Sequence, residues 1–571
     1  MLRFFRSILV ASATGLFVVA CGPSGEAPET AEDAPAASAP KPTAGAATTP
    51  EAADVRPNVI VIVADDMGFS DFGAFGSGIR TPTLDALAAE GVVAPNFYVA
   101  PTCSPTRAML MTGADHHRVG LGVMGEMIPP PVQGRPGYEG YLIDSAITLP
   151  QLLKDAGYTT YIAGKWHLGR EETNSPPTRG FDQSFVLLQG GASHFADARG
   201  ILEMDPKAIY RDNGAIVDEL PEGFFSSTFY TDKFIEYIEG DRAGGAPFFG
   251  YLAYTAPHWP LQAPEDYIDR YRGAFDEGWE VWRERRLAHL KDLGLVPADV
   301  HLRPLNAPAW DSLSDEQKAL EARRMELHAA MIEHMDAEIG RLVAYLEETD
   351  LRENTHIMFF SDNGPEGVDI SRLMNNGVWI PANFDNSIEN LGRVNSYTWL
   401  GGGWGQVSAT PGGMFKSFTT EGGVRAPAIF SGAGVAGPRV VDEIGHVMDV
   451  APTVLDWAGV ELSDEAVAQI DGQSLAPVLA GQESAYGQPS VHGWELFGRR
   501  GVRQGDWKAV FLQPPFGPGA WQLFDVAADP AETTDLAAAN PEKLSEMKAL
   551  WNAYAEKNGV FVFEDDIGFG K

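Results

Sequence analysis

From Asn58 to Ala64 the chain reads Asn-Val-Ile-Val-Ile-Val-Ala, almost without a polar interruption. A β-branched run with no polar face is the pattern of a strand buried on both sides of a parallel sheet. It stops abruptly at Asp65-Asp66. Thr83 to Glu90 then has helical spacing closed by Gly91, and Val92 to Val99 is extended. Leu149 to Ala156 predicts a helix ended by Gly157, followed by a strand from Thr159 to Ala163 and another from Pro247 to Tyr254. A long amphipathic helix is expected over Met325 to Glu347, then a strand from His356 to Phe360 running into Asp362. Arg425 to Phe430 is a further strand candidate and Met448 to Ala458 a helix. Strand and helix alternate throughout, which implies an α/β sandwich around a large, mostly parallel sheet.

The pattern changes near residue 485. Short aromatic-rich strands (Ser490 to Leu496, Trp507 to Leu512, Gln522 to Val526) alternate with Gly and Pro turns, and Glu542 to Glu556 predicts a closing helix. A small antiparallel sheet with one packed helix is expected over 485–571, beside an α/β body over 57–484. At the other end, Arg3 and Arg6 precede an apolar run from Ile8 to Ala20 that is too short to span a bilayer as a helix. The run ends Val18-Val19-Ala20-Cys21-Gly22, which resembles a bacterial lipobox. We therefore expect a lipoprotein-type signal over 1–20, lipid on the Cys21 sulfur, and an exported, membrane-anchored periplasmic or cell-surface protein. Residues 21–56, rich in Ala, Pro, Thr and Glu, read as a flexible tether, because they cannot bury enough apolar surface to offset their ordering entropy.

Composition narrows the partners. A chain of 571 residues with 44% hydrophobic residues can build a large core, and a formal charge of −36 offers no field to collect nucleic-acid phosphates. Any anionic ligand must be held by a local cluster of cations. The sequence has two cysteines, and with the Cys21 sulfur taken by lipid, Cys103 has no partner for an internal disulfide.

Cys103 opens the segment Cys103-Ser104-Pro105-Thr106-Arg107. Pro105 suits the first turn of a helix, which places Cys103 where free N–H groups and the dipole attract anions. Arg107 lies one turn in. Asp65-Asp66 and Asp362-Asn363 each follow an apolar strand, and the carboxyl ends of parallel strands form the binding crevice of an open sheet. Four oxygen donors meeting there suit a hard cation, calcium or magnesium, and no Cys/His grouping is visible to favour zinc. Strand alternation puts Lys165 and His167 on one side of an extended chain, an ammonium beside an imidazole. His258 sits between Pro257 and Pro260 at another strand end, and Lys416 precedes the Gly-rich turn Glu421-Gly422-Gly423.

Taken together and in this order, these motifs resemble a bacterial type I sulfatase of the arylsulfatase group, in the alkaline-phosphatase-like superfamily. The likeness runs from about Pro57 to the C-terminus. It implies hydrolysis of sulfate esters, with Cys103 converted by a maturation enzyme to formylglycine. One hydroxyl of the hydrated aldehyde would attack sulfur, and the other would expel sulfate. It further implies calcium held by Asp65, Asp66, Asp362 and Asn363 with the residue at 103, and Asp362 as base toward the attacking hydroxyl. Arg107 and Lys165 would hold the sulfate, His167 would be the base for elimination, and His258 and Lys416 would face the leaving oxygen. The rival readings are a phosphonate or phosphodiester hydrolase using the same group, and a non-catalytic lipoprotein that binds sulfated ligands.

Overall fold

The computed structural model describes residues 56–482 and 490–568. The leader, residues 21–55 of the tether with Cys21, and the expected boundary at 484/485 lie outside the described residues.

Ten strands form the main sheet: β1 (Asn58–Ala64), β2 (Val92–Ala94), β3 (Thr159–Lys165), β4 (Gln183–Leu187), β5 (Tyr210–Asp212), β6 (Ala215–Val217), β7 (Phe248–Ala253), β8 (Thr355–Ser361), β9 (Ala428–Ser431) and β10 (Arg439–Val440). Their order is β10-β2-β9-β8-β1-β7-β3-β4-β5-β6. The five central strands, β8 to β4, are all parallel, whereas β9 runs antiparallel to both β8 and β2.

β1 shows why its sequence carries no polar face. Val59, Val61 and Val63 pack with Met109, Leu110 and Met111 of helix α1 (Cys103–Thr112) on one face. Ile60, Ile62 and Ala64 pack on the other with Met325, Met335 and Leu342 of α2 (Asp315–Glu348). All six β1 side chains are fully buried. At about 25 cal/mol per Å² of apolar surface, such double-faced burial outweighs the low helix-versus-strand bias of any single residue. The long helix begins ten residues earlier than its apolar pattern, because Ser314 and Gln317 close a capping box at its N-terminus.

Four strands, β11 (Val491–Leu496), β12 (Arg499–Gln504), β13 (Trp507–Phe511) and β14 (Trp521–Asp525), make an antiparallel sheet covered by α3 (Pro541–Asn558). This sheet docks on the body through specific polar contacts. Trp494 Nε1 donates to Val99 O at 2.9 Å, and Arg499 Nη1 donates to Ser417 O at 2.8 Å.

Candidate active site

The sheet register assembles the site. Ala64 of β1 pairs with Ser361 of β8, so Asp65 and Asp362 leave adjacent parallel strands at the same level. Asp362 N then donates to Ala64 O at 3.0 Å. β7 lies on the other side of β1, and its exit loop carries His258; β3 is next and ends on Lys165. Helix α1 enters from the N-terminal side with Cys103 as its first residue and no side chain capping it. The free N–H groups of that first turn therefore face the crevice.

Each aspartate is matched to its own cation. Lys165 Nζ lies 2.6 Å from Asp65 Oδ2, and Lys416 Nζ 2.8 Å from Asp66 Oδ1. Arg107 Nη2 lies 2.7 Å from Asp362 Oδ2, and its Nη1 donates to Lys165 O and Tyr251 Oη, each at 3.1 Å. All six of these side chains are essentially buried. Asn363 Nδ2 donates to Asp66 Oδ1 at 2.6 Å, while its Oδ1 is buried with no hydrogen-bond partner. Burial and the neighbouring Asp65 raise the Asp362 carboxyl to about 6, against Arg107 and Lys165. For Asp66 burial acts upward too, but Lys416, His258 and Lys165 overcome it and hold the carboxyl at about 2.

Cys103 Sγ lies 3.5 Å from Asp65 Oδ1 and 4.0 Å from Asp66 Oδ1. Burial, reinforced by Asp362, pushes its thiol well above the ordinary range. It is therefore a protonated, unreactive thiol as it stands. Ligand atoms of Asp65, Asp66, Cys103 and His258 fall within 4.8 Å of one another. Folding thus creates a cysteine–histidine grouping that sequence spacing concealed, since the two residues are far apart along the chain.

Lys165 and His167 reach the site by a different route from the one alternation predicts. β3 ends at Lys165, and His167 has φ +55, so the chain leaves the strand through a left-handed turn. Asp66, with φ +72, is another site residue in this conformation. Each such non-glycine residue costs about 1–2 kcal/mol, a strain held by the surrounding packing.

His167 Nε2 donates to Glu126 Oε1 at 2.9 Å, and its Nδ1 is buried without a partner. Burial lowers the His167 imidazole, against the pull of Glu126. Glu126, for which burial is opposed by His167, is held at about 2. The carboxylate holds the ring at Nε2 and leaves the buried Nδ1 as its open position. His258 is arranged oppositely: Nδ1 donates to Trp259 O at 2.6 Å, and Nε2 faces Asp66 Oδ2 at 3.7 Å. Burial pushes this ring well below its usual range. Gly190 and Gly191 make room for both rings, since a Cβ there would lie 2.8 Å from His167 Cε1 and 2.9 Å from His258 Nδ1.

Cys103, His167, His258 and Lys416 line one cavity of about 60 Å³, together with Glu126 and Glu366. Sequence reading missed both glutamates. Glu366 follows Asn363 by three residues, with Oε1 accepting from Val368 N at 2.8 Å and Oε2 lying 3.8 Å from Lys416 Nζ. Burial raises it to about 7 despite Lys416. Its proximity to Asp362-Asn363 was the available signal; Glu126 had none, because only folding brings it to His167. The structure brings together every catalytic and metal-ligand candidate of the sequence, while two histidines of α2 lie elsewhere, His328 against Asp71 at 3.0 Å and His334 against Glu338 at 3.4 Å.

A family model described as Sulfatase matches residues 57–460. The chain belongs to the sulfatase family. It is 40% identical over 536 residues to an uncharacterized sulfatase of Schizosaccharomyces pombe, an alignment covering 90% of this chain and 96% of that one. It is 38% identical over 439 residues to the arylsulfatase of Klebsiella aerogenes, covering 74% and 92%. Among solved structures, the crystal structure of Ps i-CgsB in complex with k-i-k-neocarrahexaose superposes with a TM-score of 0.64 at 24% identity, over 89% of this chain and 95% of that one. This last likeness concerns the fold, the large mostly parallel sheet with its small C-terminal antiparallel partner. The sulfatase is accordingly a sulfuric ester hydrolase.

Proposed function

We propose that this sulfatase hydrolyses aryl or related sulfate esters with Cys103 in its oxidised, formylglycine form and with calcium held by Asp65, Asp66, Asp362 and Asn363. The observation that carries the reading is the state of the thiol. A buried Cys103 whose pKa is pushed up beside aspartates cannot supply a thiolate nucleophile, so the family's chemistry at this position requires a different functional group. Hydration of an aldehyde at residue 103 would supply two hydroxyls in place of the thiol. Oxidation also replaces the one soft donor of the cluster by oxygens, which leaves His258 as its single nitrogen beside the carboxylates that calcium prefers. The partnerless Oδ1 of Asn363 is the acceptor such an ion would satisfy.

Bound calcium would polarise the ester and offset negative charge developing at the sulfate oxygens. The protein's own residues divide the remaining work. Asp65, Asp66 and Asp362 are already balanced by Lys165, Lys416 and Arg107. Those cations orient a sulfate oxygen without a net excess of negative charge around it. Asp362, raised to about 6, would take a proton at residue 103. His167, with Nε2–H fixed on Glu126, accepts a proton at Nδ1. His258 gives a proton to the leaving oxygen at Nε2 only from its doubly protonated form, which burial disfavours and the negative charge of a bound ester favours. Export, the lipid on Cys21 and the maturation enzyme belong to the same proposal.

The test is twofold. Mass spectrometry of the peptide containing residue 103 should show the aldehyde, and the protein should release sulfate from nitrophenyl sulfate faster than phosphate from the matching phosphate and phosphonate esters. An unmodified cysteine in fully active protein would overturn the mechanism. Preference for the phosphonate would favour the phosphonate-hydrolase reading instead.

A further inference from the structure

The cavity over Cys103 opens into a larger cleft of about 630 Å³, and Glu126, His167 and Leu202 line both spaces. His167 stands at the junction, 7% exposed, with its Nδ1 partnerless. An ester whose sulfate lies among the buried cations therefore extends its alcohol portion past His167 into this cleft. We propose that the cleft selects sulfate esters whose alcohol portion is apolar beside the ester oxygen and positively charged further out. This inference rests on the sulfatase reading above and goes beyond it to the class of substrate.

The inner wall is apolar. Met127, Ile201, Leu202, Trp259, Val368 and Leu373 surround the cavity next to the catalytic groups. A ring or short hydrocarbon chain fits there, and a charged group would lose hydration without gaining a partner. The outer wall is acidic: Glu126, Glu139, Asp144, Glu171 and Asp205 face Arg170. Arg170 is occupied by Asp205, and Asp144 is paired with Arg179 at 2.7 Å behind the wall. Glu126 is held by His167 at 2.9 Å. Glu139 accepts only from the backbone N–H of Gly137, at 2.9 Å, and Glu171 lies exposed at the rim.

Among the described residues, Glu139 and Glu171 thus lack a cationic partner at the mouth of a site that must admit an anion. The buried cations address the sulfate; the outer carboxylates address the other end of the molecule. An ammonium group satisfies them, and its apolar substituents match the inner wall. A carboxylated or multiply sulfated alcohol portion brings like charges together across a low-dielectric cleft, which the net charge of −36 reinforces.

The experiment uses three aryl sulfates with phenols matched in pKa, one bearing trimethylammonium, one neutral and one bearing carboxylate. The ratio of kcat/KM for the cationic over the anionic ester should be about 10-fold or more at low ionic strength and shrink toward one at high salt. The double variant Glu139→Gln, Glu171→Gln should reduce that ratio at least about threefold after normalisation to the neutral ester. Equal or reversed preference in the wild type would overturn the proposal, as would a ratio unchanged in the double variant. If even the neutral ester released no sulfate, the sulfatase reading itself would fall, and this inference with it.

Discussion

Arg107 donates from both Nε and Nη2, at 3.0 and 2.7 Å, to one and the same oxygen of Asp362, Oδ2. Both side chains are inaccessible to solvent, so neither charge can be hydrated if the other is lost. That leaves Asp362 Oδ1 free of the guanidinium and near the backbone N–H of Asp66, at 3.3 Å. Arg107→Ala should therefore destabilise the fold by about 3–5 kcal/mol, the cost of stranding a buried charge. Urea denaturation of the two proteins measures it, and an unchanged midpoint would show that Asp362 is neutralised some other way.

Glu126→Gln should lower kcat by about 10–100-fold, because the neutral amide no longer fixes the Nε2–H tautomer of His167. The ionised carboxylate also raises the His167 pKa against burial. Its removal should shift the acidic limb of kcat to lower pH, since the active ring is the neutral one. A pH profile separates this from simple unfolding, which would reduce activity without moving the limb.

Chelation of calcium should lower both turnover and Tm, and added calcium should restore both. The folded state alone gathers Asp65, Asp66, Asp362 and Asn363, so an ion bound there stabilises it by mass action. Elemental analysis showing stoichiometric zinc in active protein would contradict the oxygen-donor assignment.

Lys416→Ala and His258→Ala should slow esters of poor leaving groups more than activated aryl sulfates. A plot of log rate against leaving-group pKa should steepen in each variant, by up to about 10²-fold for the least activated phenols. Parallel lines would move both residues from the departing oxygen to sulfate binding.

A pH dependence of stability is expected at His117, outside the catalytic cavity. Burial opposes its charge, but Asp115 at 3.0 Å and Glu495 at 3.6 Å raise the ring to about 9. A raised pKa contributes stability that is fully present below about 6.5 and is lost as pH rises through 9. Folding stability should therefore fall between pH 7 and 10, by on the order of 3 kcal/mol at most, with Tm falling alongside, and Glu495→Gln should flatten the decline. A flat wild-type profile would show that the ring is neutral throughout.

Apolar runs with a single meaning were legible in the sequence. Asn58 to Ala64 is a strand over the same residues in the structure, because a run with no polar face can be buried only inside a sheet. Val92 to Val99 is instead broken at Pro95 into two short strands, Val92–Ala94 and Phe97–Tyr98. Strand β12, Arg-Arg-Gly-Val-Arg-Gln, escaped notice because its arginines mask the alternation; Arg499, buried against Asp566 and the Phe418 ring, behaves as core. Likewise β4 and the helix Ser226–Asp241 carry short or aromatic patterns that only their packing resolves. At the site, the residues at strand ends were readable from position alone. The angle at which His167 enters was not, since a left-handed residue obeys no side-chain alternation.

The bond from Arg499 to the carbonyl of Ser417 has a consequence in time as well as space. Ser417 neighbours Lys416, and it is also tied by its N–H to Pro101 O, at 2.7 Å, two residues before Cys103. The strand that supplies Arg499 comes after every reacting group in the order of synthesis. A ribosome that has finished Lys416 has made all of those groups but not the brace that fixes their loop. Chains ending before β12 should thus contain the whole catalytic inventory and still be silent, and the enzyme's working life begins only once Arg499 has been added.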